Sequence, residues 1–286
     1  MNMKRQKSFS DISRASLYLV ATPIGNLSEF SSRAIETLKT VDYIACEDTR
    51  NSKKLLSHFD IHSKLMSYHN FNEKESTKGI IDLILDGNNV AIISDAGYPL
   101  VSDPGYEVVN EAIRHDIPVV AINGPSAALS ALVVSGLDTK HYLFYGFLNA
   151  KSSSMRKELE SLANFPYTII FYEAPHRINK TLELILDVFG NREAVIAREL
   201  TKVHEEIIRG DLLSLSTIED IKGEIVLLVE GKKDDEVIID YNILVDKIND
   251  KIKEGIKAKQ AINDIAKDYN ISKNELYNYY HQHQNN

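Results

Sequence analysis

What most constrains this chain is the alternation, through its first half, of short apolar runs with helical patterns. Leu17–Ala21, Val41–Cys46, Val90–Ser94 and Pro118–Ile122 read as strands. Between them Ser31–Lys39, Thr77–Leu85 and Tyr106–Arg114 read as helices, the first with Ala34, Ile35 and Leu38 on one face. Strands separated by helices of this length pair as a parallel sheet with right-handed crossovers.

A second, less regular unit begins near Gly124–Pro125. Ser126–Ser135 reads as a helix stopped by Gly136, and Thr181–Phe189 as one ended by Gly190. Tyr142–Tyr145, Thr168–Tyr172, Ala194–Ala197 and Ile225–Val229 read as strands, with His204–Arg209 as an edge strand. After Glu230 the stretch GKKDDE is a charged break. Beyond it Ile248, Ile252 and Ile256 form one apolar stripe, and AINDIAKDYNISKNELYNYY has helix–turn–helix spacing about Asp268–Ser272. The expected division is a flexible leader (1–16), an N-terminal α/β domain (17–124), a C-terminal α/β domain (125–232), and a linker with a helical tail (233–286).

Composition narrows the function. An apolar share of 43% supports a sizeable core, and no apolar run is long enough to cross a bilayer. The polar leader lacks the apolar segment of a secretory signal. The one cysteine, Cys46, ends the apolar run VDYIAC and reads as core; a single cysteine suits a reducing cytoplasm and excludes an internal disulfide or a cysteine-rich zinc site. A formal net charge of −8 argues against a general nucleic-acid coat, although a local basic patch facing a structured RNA remains open.

In an open parallel sheet, ligands bind beyond the carboxyl ends of the strands. Four motifs fall there: TPIGNL from Thr22, EDTR from Glu47, SDAGYP from Ser94 and NGPSA from Asn123. SDAGYP joins a carboxylate, Asp95, to a glycine that permits close backbone approach, and DPG from Asp103 can set up the next helix. Ser126 either caps its helix or opens a ligand site at the helix start. FYEAPHR (Phe171–Arg177) and ARELTK (Ala197–Lys202) gather charges after later strands, as site linings or as structural salt bridges. No GxGxxG follows the first strand, and no GxxxxGK[ST] or HExxH occurs, which disfavours dinucleotide, P-loop and zincin chemistry. His58, His62 and His69 lack the partners of a metal-ligand pattern.

With YGFL and KGEIVLLVEG added, these motifs occur in an order that resembles the small-subunit ribosomal RNA 2′-O-ribose cytidine methyltransferases, within the tetrapyrrole methylase-like superfamily. The likeness runs from about Leu17 to Gly231, and the C-terminal helices are similar to that family's tail. The resemblance implies two α/β domains with S-adenosylmethionine in the cleft between them, a homodimer, no metal, and methylation of a cytidine ribose in the decoding region of 16S ribosomal RNA or the assembled small subunit. By motif, it implies donor contacts from Pro23, Asp95, Ala96, Gly97, Ser126, Ala127, Tyr172 and the Ala197–Leu200 strand end including Leu200, with Glu224 and Ile225 near the adenine. Two positions depart from the family pattern: Tyr98 stands where it usually has Thr, and Asn149 where it often has Pro.

Methyl transfer to a ribose hydroxyl needs alignment and benefits from a base. Glu47, Asp48, Glu173, His176 and Glu199 are the candidates, with the EDTR carboxylates foremost for positioning or base work. Arg50, Arg177, Arg198 and Lys202 are the expected RNA-phosphate contacts. A porphyrinoid methylase shares fold and donor and is the first rival. A non-enzymatic DNA-binding regulator using the C-terminal helices is the second, weakened by the near balance of charge from Val245 to Asn286.

Overall fold

The computed structural model describes residues 3–7, 14–68, 73–233, 240–269 and 271–283. His69, residues 234–236 of the charged break, and Asn270 in the helix–turn–helix therefore lie outside the described residues, as does much of the leader. The chain divides into two compact units, 1–232 and 233–286.

The first unit opens with β1 (Leu17–Val20), α1 (Ser32–Thr40), β2 (Tyr43–Cys46), α2 (Thr49–His58), β3 (Lys64–Ser67), α3 (Glu73–Leu85), β4 (Val90–Ile93), α4 (Tyr106–Arg114) and β5 (Val119–Ile122). The five strands form one sheet in the order β3-β2-β4-β1-β5, and every pair is parallel. Both faces are covered. Ala91 and Ile93 pack with Ala34 and Leu38 of α1 and Leu56 of α2, while Val90 and Ile92 pack with Ile80 and Ile84 of α3 and Val108 and Ala112 of α4. Burial on both faces is why VAII is an unbroken apolar run rather than an alternating one. Ser31 caps α1 by accepting from the Ala34 amide.

Periodicity does not announce α2 or β3. Helix α2 buries only Ser52 and Leu56, and β3 is a four-residue edge strand without a fully buried side chain. The described part of the leader makes contacts with the first sheet. The Gln6 amide both donates to Val119 O and accepts from Val119 N, each at 2.9 Å, and Lys4 pairs with Asp116 at 2.8 Å, so it covers the open edge of β5.

Chain continues into α5 (Ala127–Ser135), β6 (Tyr142–Phe147), α6 (Ser152–Leu162), β7 (Thr168–Glu173), α7 (Ile178–Phe189), β8 (Glu193–Arg198), β9 (Glu206–Asp211), α8 (Leu212–Leu215) and β10 (Ile225–Val229). This second sheet has the order β6-β7-β10-β8-β9, with β6 and β7 parallel and the other pairs antiparallel. The His204–Arg209 strand is indeed at an edge, shifted to Glu206–Asp211. On one face Phe171, Ile196 and Leu227 meet Met155 and Leu159 of α6 and Leu182 and Ile185 of α7. On the other, Ile170, Val195, Val226 and Leu228 meet Ala128, Ala131 and Leu132 of α5, together with Ile24. Helix α6 is absent from the sequence expectation, although Met155, Leu159 and Leu162 carry a helical spacing.

The second unit holds α9 (Tyr241–Lys253), α10 (Ala258–Asp268) and α11 (Lys273–His283). Leu244, Ile248, Ile262, Ile265, Leu276 and Tyr280 give it a core of its own. Ile256 of the apolar stripe lies beyond the end of α9 but still packs on that core.

Candidate active site

In the first sheet the chain leaves β1 across β4 to β2, then returns from β3 to β4 and crosses β1 to β5. The winding reverses at β1 and β4, so a crevice opens beyond their carboxyl ends. TPIGNL and SDAGYP are the loops at that point, and they are clipped together. Thr22 N donates to Gly97 O at 2.9 Å, Gly97 N donates to Thr22 O at 3.0 Å, and the buried Thr22 hydroxyl donates to Ser94 O at 3.1 Å. Gly97 adopts φ +77°, a left-handed conformation that side chains other than glycine resist. Ser126 caps α5, accepting from Leu129 N. Tyr98 joins the loops: its phenol oxygen accepts from Gly124 N at 3.2 Å, so NGPSA is anchored to SDAGYP.

These loops and the facing ends of the second sheet enclose a cavity of about 720 Å³, within the roughly 300–1,000 Å³ typical of small-molecule sites. Asp95, Ala96, Gly97, Ser126, Ala127, Tyr172, Leu200, Glu224 and Ile225 all line it. Pro23 does not; it is buried, and its neighbour Ile24 supplies the apolar wall. The lining also includes residues the motifs did not single out: Val101, Ser102, Asp103, Phe147, Gly223 and Val226.

On the second-sheet side the charges are already partnered. Glu173 has a fully buried side chain that accepts from Ala174 N at 2.7 Å and from the Thr181 hydroxyl at 2.6 Å, and it pairs with the Arg177 guanidinium. Arg177 also donates to Leu148 O at 3.0 Å. The acceptor capacity of Glu173 is thus taken up inside the protein, and Arg177 is its counter-charge, which weighs against base work by the one and phosphate contact by the other.

Arg198 is partnered in the same way. It pairs with its cross-strand neighbour Glu206 at 2.5 Å and donates to Lys222 O at 3.2 Å. Lys202 lines the cavity but bridges Glu199 at 2.9 Å and Glu224 at 3.1 Å, which makes it part of the wall. Its hydrogen bond, with that of the Glu224 amide, holds the Glu199 carboxyl below the usual range and weakens Glu199 as a base. His176 is exposed and off the lining.

The EDTR carboxylates stand outside the lining. Asp48 caps α2, accepting from Arg50 N at 2.8 Å, and pairs with the Arg50 guanidinium at 3.2 Å. Those hydrogen bonds hold its carboxyl below the usual range, which disfavours base work. Arg50 is 88% exposed and is the one expected RNA contact that projects into solvent. Glu47 is exposed, and its charge acts on Asp103.

Asp103 is the ionisable residue the motif reading passed over as a helix starter. It is half-buried on the cavity wall, and its carboxyl is pushed up to about 6, first by burial and then by the charge of Glu47 and, more weakly, Asp95, against a hydrogen bond from Ser94. The available signal was a second carboxylate, in DPG, in the loop that already carries Asp95.

Cys46 is buried, and burial pushes its thiol up, so it is core rather than nucleophile. Among the described residues no group of three or more His, Cys, Asp or Glu could hold one metal ion. His58 is exposed, and His62, 82% exposed, pairs with Asp60. No helix among the described residues is long and apolar enough to cross a membrane.

Residues 16–216 match the family described as Tetrapyrrole (Corrin/Porphyrin) Methylases. Similar curated proteins bear the name Ribosomal RNA small subunit methyltransferase I. That of Halalkalibacterium halodurans is 45% identical over 98% of this chain and 100% of its own length. That of Bacillus subtilis is 43% identical over 98% and 99%, and that of Vibrio cholerae 42% identical over 91% and 92%. Among solved structures, uroporphyrin-III-C-methyltransferase from Thermus thermophilus is 19% identical, with a TM-score of 0.55 over 76% of this chain and 94% of that one. A cobalt precorrin-4 methyltransferase is 15% identical, with a TM-score of 0.57 over 75% and 94%. At those identities the structures speak for the fold alone. From the matched span and the near full-length relatives, the chain belongs to the tetrapyrrole methylase family and, within it, to the family of ribosomal RNA small subunit methyltransferase I.

Proposed function

We propose that the protein transfers a methyl group from S-adenosylmethionine to the 2′-oxygen of a cytidine ribose in small-subunit (16S) ribosomal RNA. The observation that carries the reading is the convergence of TPIGNL, SDAGYP and NGPSA on one cavity in a chain whose relatives are ribosomal RNA methyltransferases over nearly their whole length.

The residues present fit the donor. Ile24, Ala127, Leu200, Ile225 and Val226 offer an apolar bed for an adenine ring, and Gly97 leaves room for backbone approach. Asp95 is exposed at the strand end, where it can accept hydrogen bonds from ribose hydroxyls or an ammonium group. Tyr172 packs on the apolar cluster that holds Ala128 and Ala131 of α5 against the second sheet. Bound there, the donor supplies a methyl carbon already activated by a positive sulfur. The protein's share is alignment of the ribose hydroxyl, which contributes several kcal/mol to such reactions.

Arg50 is the RNA-phosphate contact we retain. A ribosomal substrate supports a cytoplasmic protein. A homodimer is supported by the exposed apolar side chains Leu129, Val133 and Val134 on α5, and sedimentation would test it.

The experiment is methyl transfer from labelled donor to unmodified small subunits, with the modified nucleotide mapped and a porphyrinoid run in parallel. Label on a cytidine 2′-oxygen is the expected result. A deoxycytidine at the target should not react, because the acceptor oxygen is missing. Label on a base or on the porphyrinoid overturns the reading.

A further inference from the structure

Five carboxylates line the cavity: Asp95, Asp103, Glu173, Glu199 and Glu224. Three are committed to protein cations, Glu173 to Arg177 and both Glu199 and Glu224 to Lys202. Asp95 is exposed at the end of β4, in the loop read as donor-holding. Asp103 differs from all four. It is half-buried, the groups acting on it are the charges of Glu47 from the end of β2 and Asp95 from the end of β4, and its hydrogen-bond partner is the Ser94 hydroxyl. Asp103 and Tyr172 on β7 line the same cavity, and the Tyr172 phenol is pushed up by burial and further by the Asp103 charge.

The backbone holding it is strained. Leu100 has φ +72° and Ser102 φ +68°, both left-handed positions for residues with side chains, and Gly105 has φ +138°. A Cβ at Gly105 would lie 2.6 Å from Leu100 Cγ, so the loop closes tightly on itself around Asp103. Strain of this kind persists where the surroundings fix one geometry, as they do at working sites.

We propose that Asp103 is the general base that takes the proton from the target ribose 2′-hydroxyl, with Glu47 as a positioning residue that acts through it. The inference rests on the ribose-methylation reading above. In the step, the 2′-oxygen forms a bond to the methyl carbon as the methyl–sulfur bond breaks. The electron pair of that bond stays on sulfur and cancels its positive charge. The hydroxyl proton passes to a carboxylate oxygen of Asp103 and leaves to water before the next turnover. A carboxylate with no cation paired to it among the described residues, in a partly dry site with like charges near, holds a proton more firmly than a solvated one and still ionises at neutral pH. Both properties suit a base.

The test compares the full chain with Asp103→Asn in three measurements: single-turnover methyl transfer to small subunits at saturating donor across pH, calorimetric affinity for S-adenosylhomocysteine without RNA, and thermal unfolding across pH. The expected rate loss is about 10²–10⁴-fold at neutral pH. The wild-type rate rises through a step near the Asp103 value of about 6, and the variant lacks that step. S-adenosylhomocysteine affinity is unchanged. The sign of the stability effect is also fixed. A carboxyl raised in the fold favours the folded state while protonated and loses that contribution as pH rises from the unfolded value through about 6. The Asn variant therefore matches or exceeds wild-type melting temperature at neutral pH.

Glu47→Gln should shift the step to lower pH without abolishing turnover. A parallel loss of S-adenosylhomocysteine affinity would make Asp103 a donor ligand, and a fall in melting temperature at neutral pH would make it a loop strut; either overturns the proposal, as does a rate within tenfold of wild type. A wild-type product methylated anywhere but on a ribose oxygen sinks the underlying reading instead, whatever the variant does.

Discussion

The two walls of the cavity differ in how they treat charge. On the first-sheet wall, Asp95 and Asp103 stand in loops beyond the parallel strands, and the charges acting on Asp103 among the described residues are those of Glu47 and Asp95. On the second-sheet wall, Glu173, Glu199 and Glu224 are tied to Arg177 and Lys202. Clusters that look alike in sequence, SDAGYP on one side and FYEAPHR with ARELTK on the other, thus do different work, while EDTR stands off the lining with Asp48 tied to Arg50. The first wall keeps its carboxylates available for a ligand. The second spends its charges on holding its strand ends in shape.

The largest expected effect would break the second wall. Glu173→Ala leaves the Arg177 guanidinium, 17% exposed, without its partner, and removal of one member of a buried pair costs about 3–5 kcal/mol. Urea unfolding measures it. An effect no larger than that of an ordinary surface substitution would show that the wall does not depend on the pair.

Next comes a glycine on the first wall. Gly97→Ala puts a side chain at φ +77°, a left-handed conformation that costs about 1–2 kcal/mol. The added Cβ reaches 3.5 Å from Ile24. Donor affinity should fall more than stability, by calorimetry against unfolding, because the strain is relieved by unclipping the loop from Thr22.

Tyr98→Phe is a smaller change. It removes the acceptor of the Gly124 amide, and an amide left without its partner costs about 1–3 kcal/mol when buried and less where water can reach it, as at this half-buried tyrosine. If stability and donor affinity are both unchanged, the phenol does not link the two loops.

The smallest effect sharpens the contrast between walls. Arg50→Ala should reduce the slope of log affinity for RNA against log salt by about 1 while leaving the melting temperature unchanged, since its guanidinium is 88% exposed. The same measurement on Arg198→Ala should leave that slope unaltered, because Arg198 is committed to Glu206 and Lys222.

The sequence made the first sheet legible because burial on both faces turns its inner strands into unbroken apolar runs, and capping residues such as Ser31 and Ser126 mark helix starts. It hid β3 and α2, whose contact with the core is slight. Most of the expected cavity-lining positions were found by motif at strand ends. Partnership was not: nothing local in FYEAPHR says that Glu173 will reach Thr181 in α7 while Arg177 reaches Leu148 at the end of β6.

The sequence by itself determined the parallel first sheet, the α/β character of the second unit, the strand-end loops and the family, because those follow from local apolar periodicity and from motif order. Only the tertiary structure decided which charges are spent and which remain available. That depends on groups far apart in sequence, Lys202 with Glu224 or Glu47 with Asp103, and the energy of a charge is set by its neighbours in space and by the water it has lost.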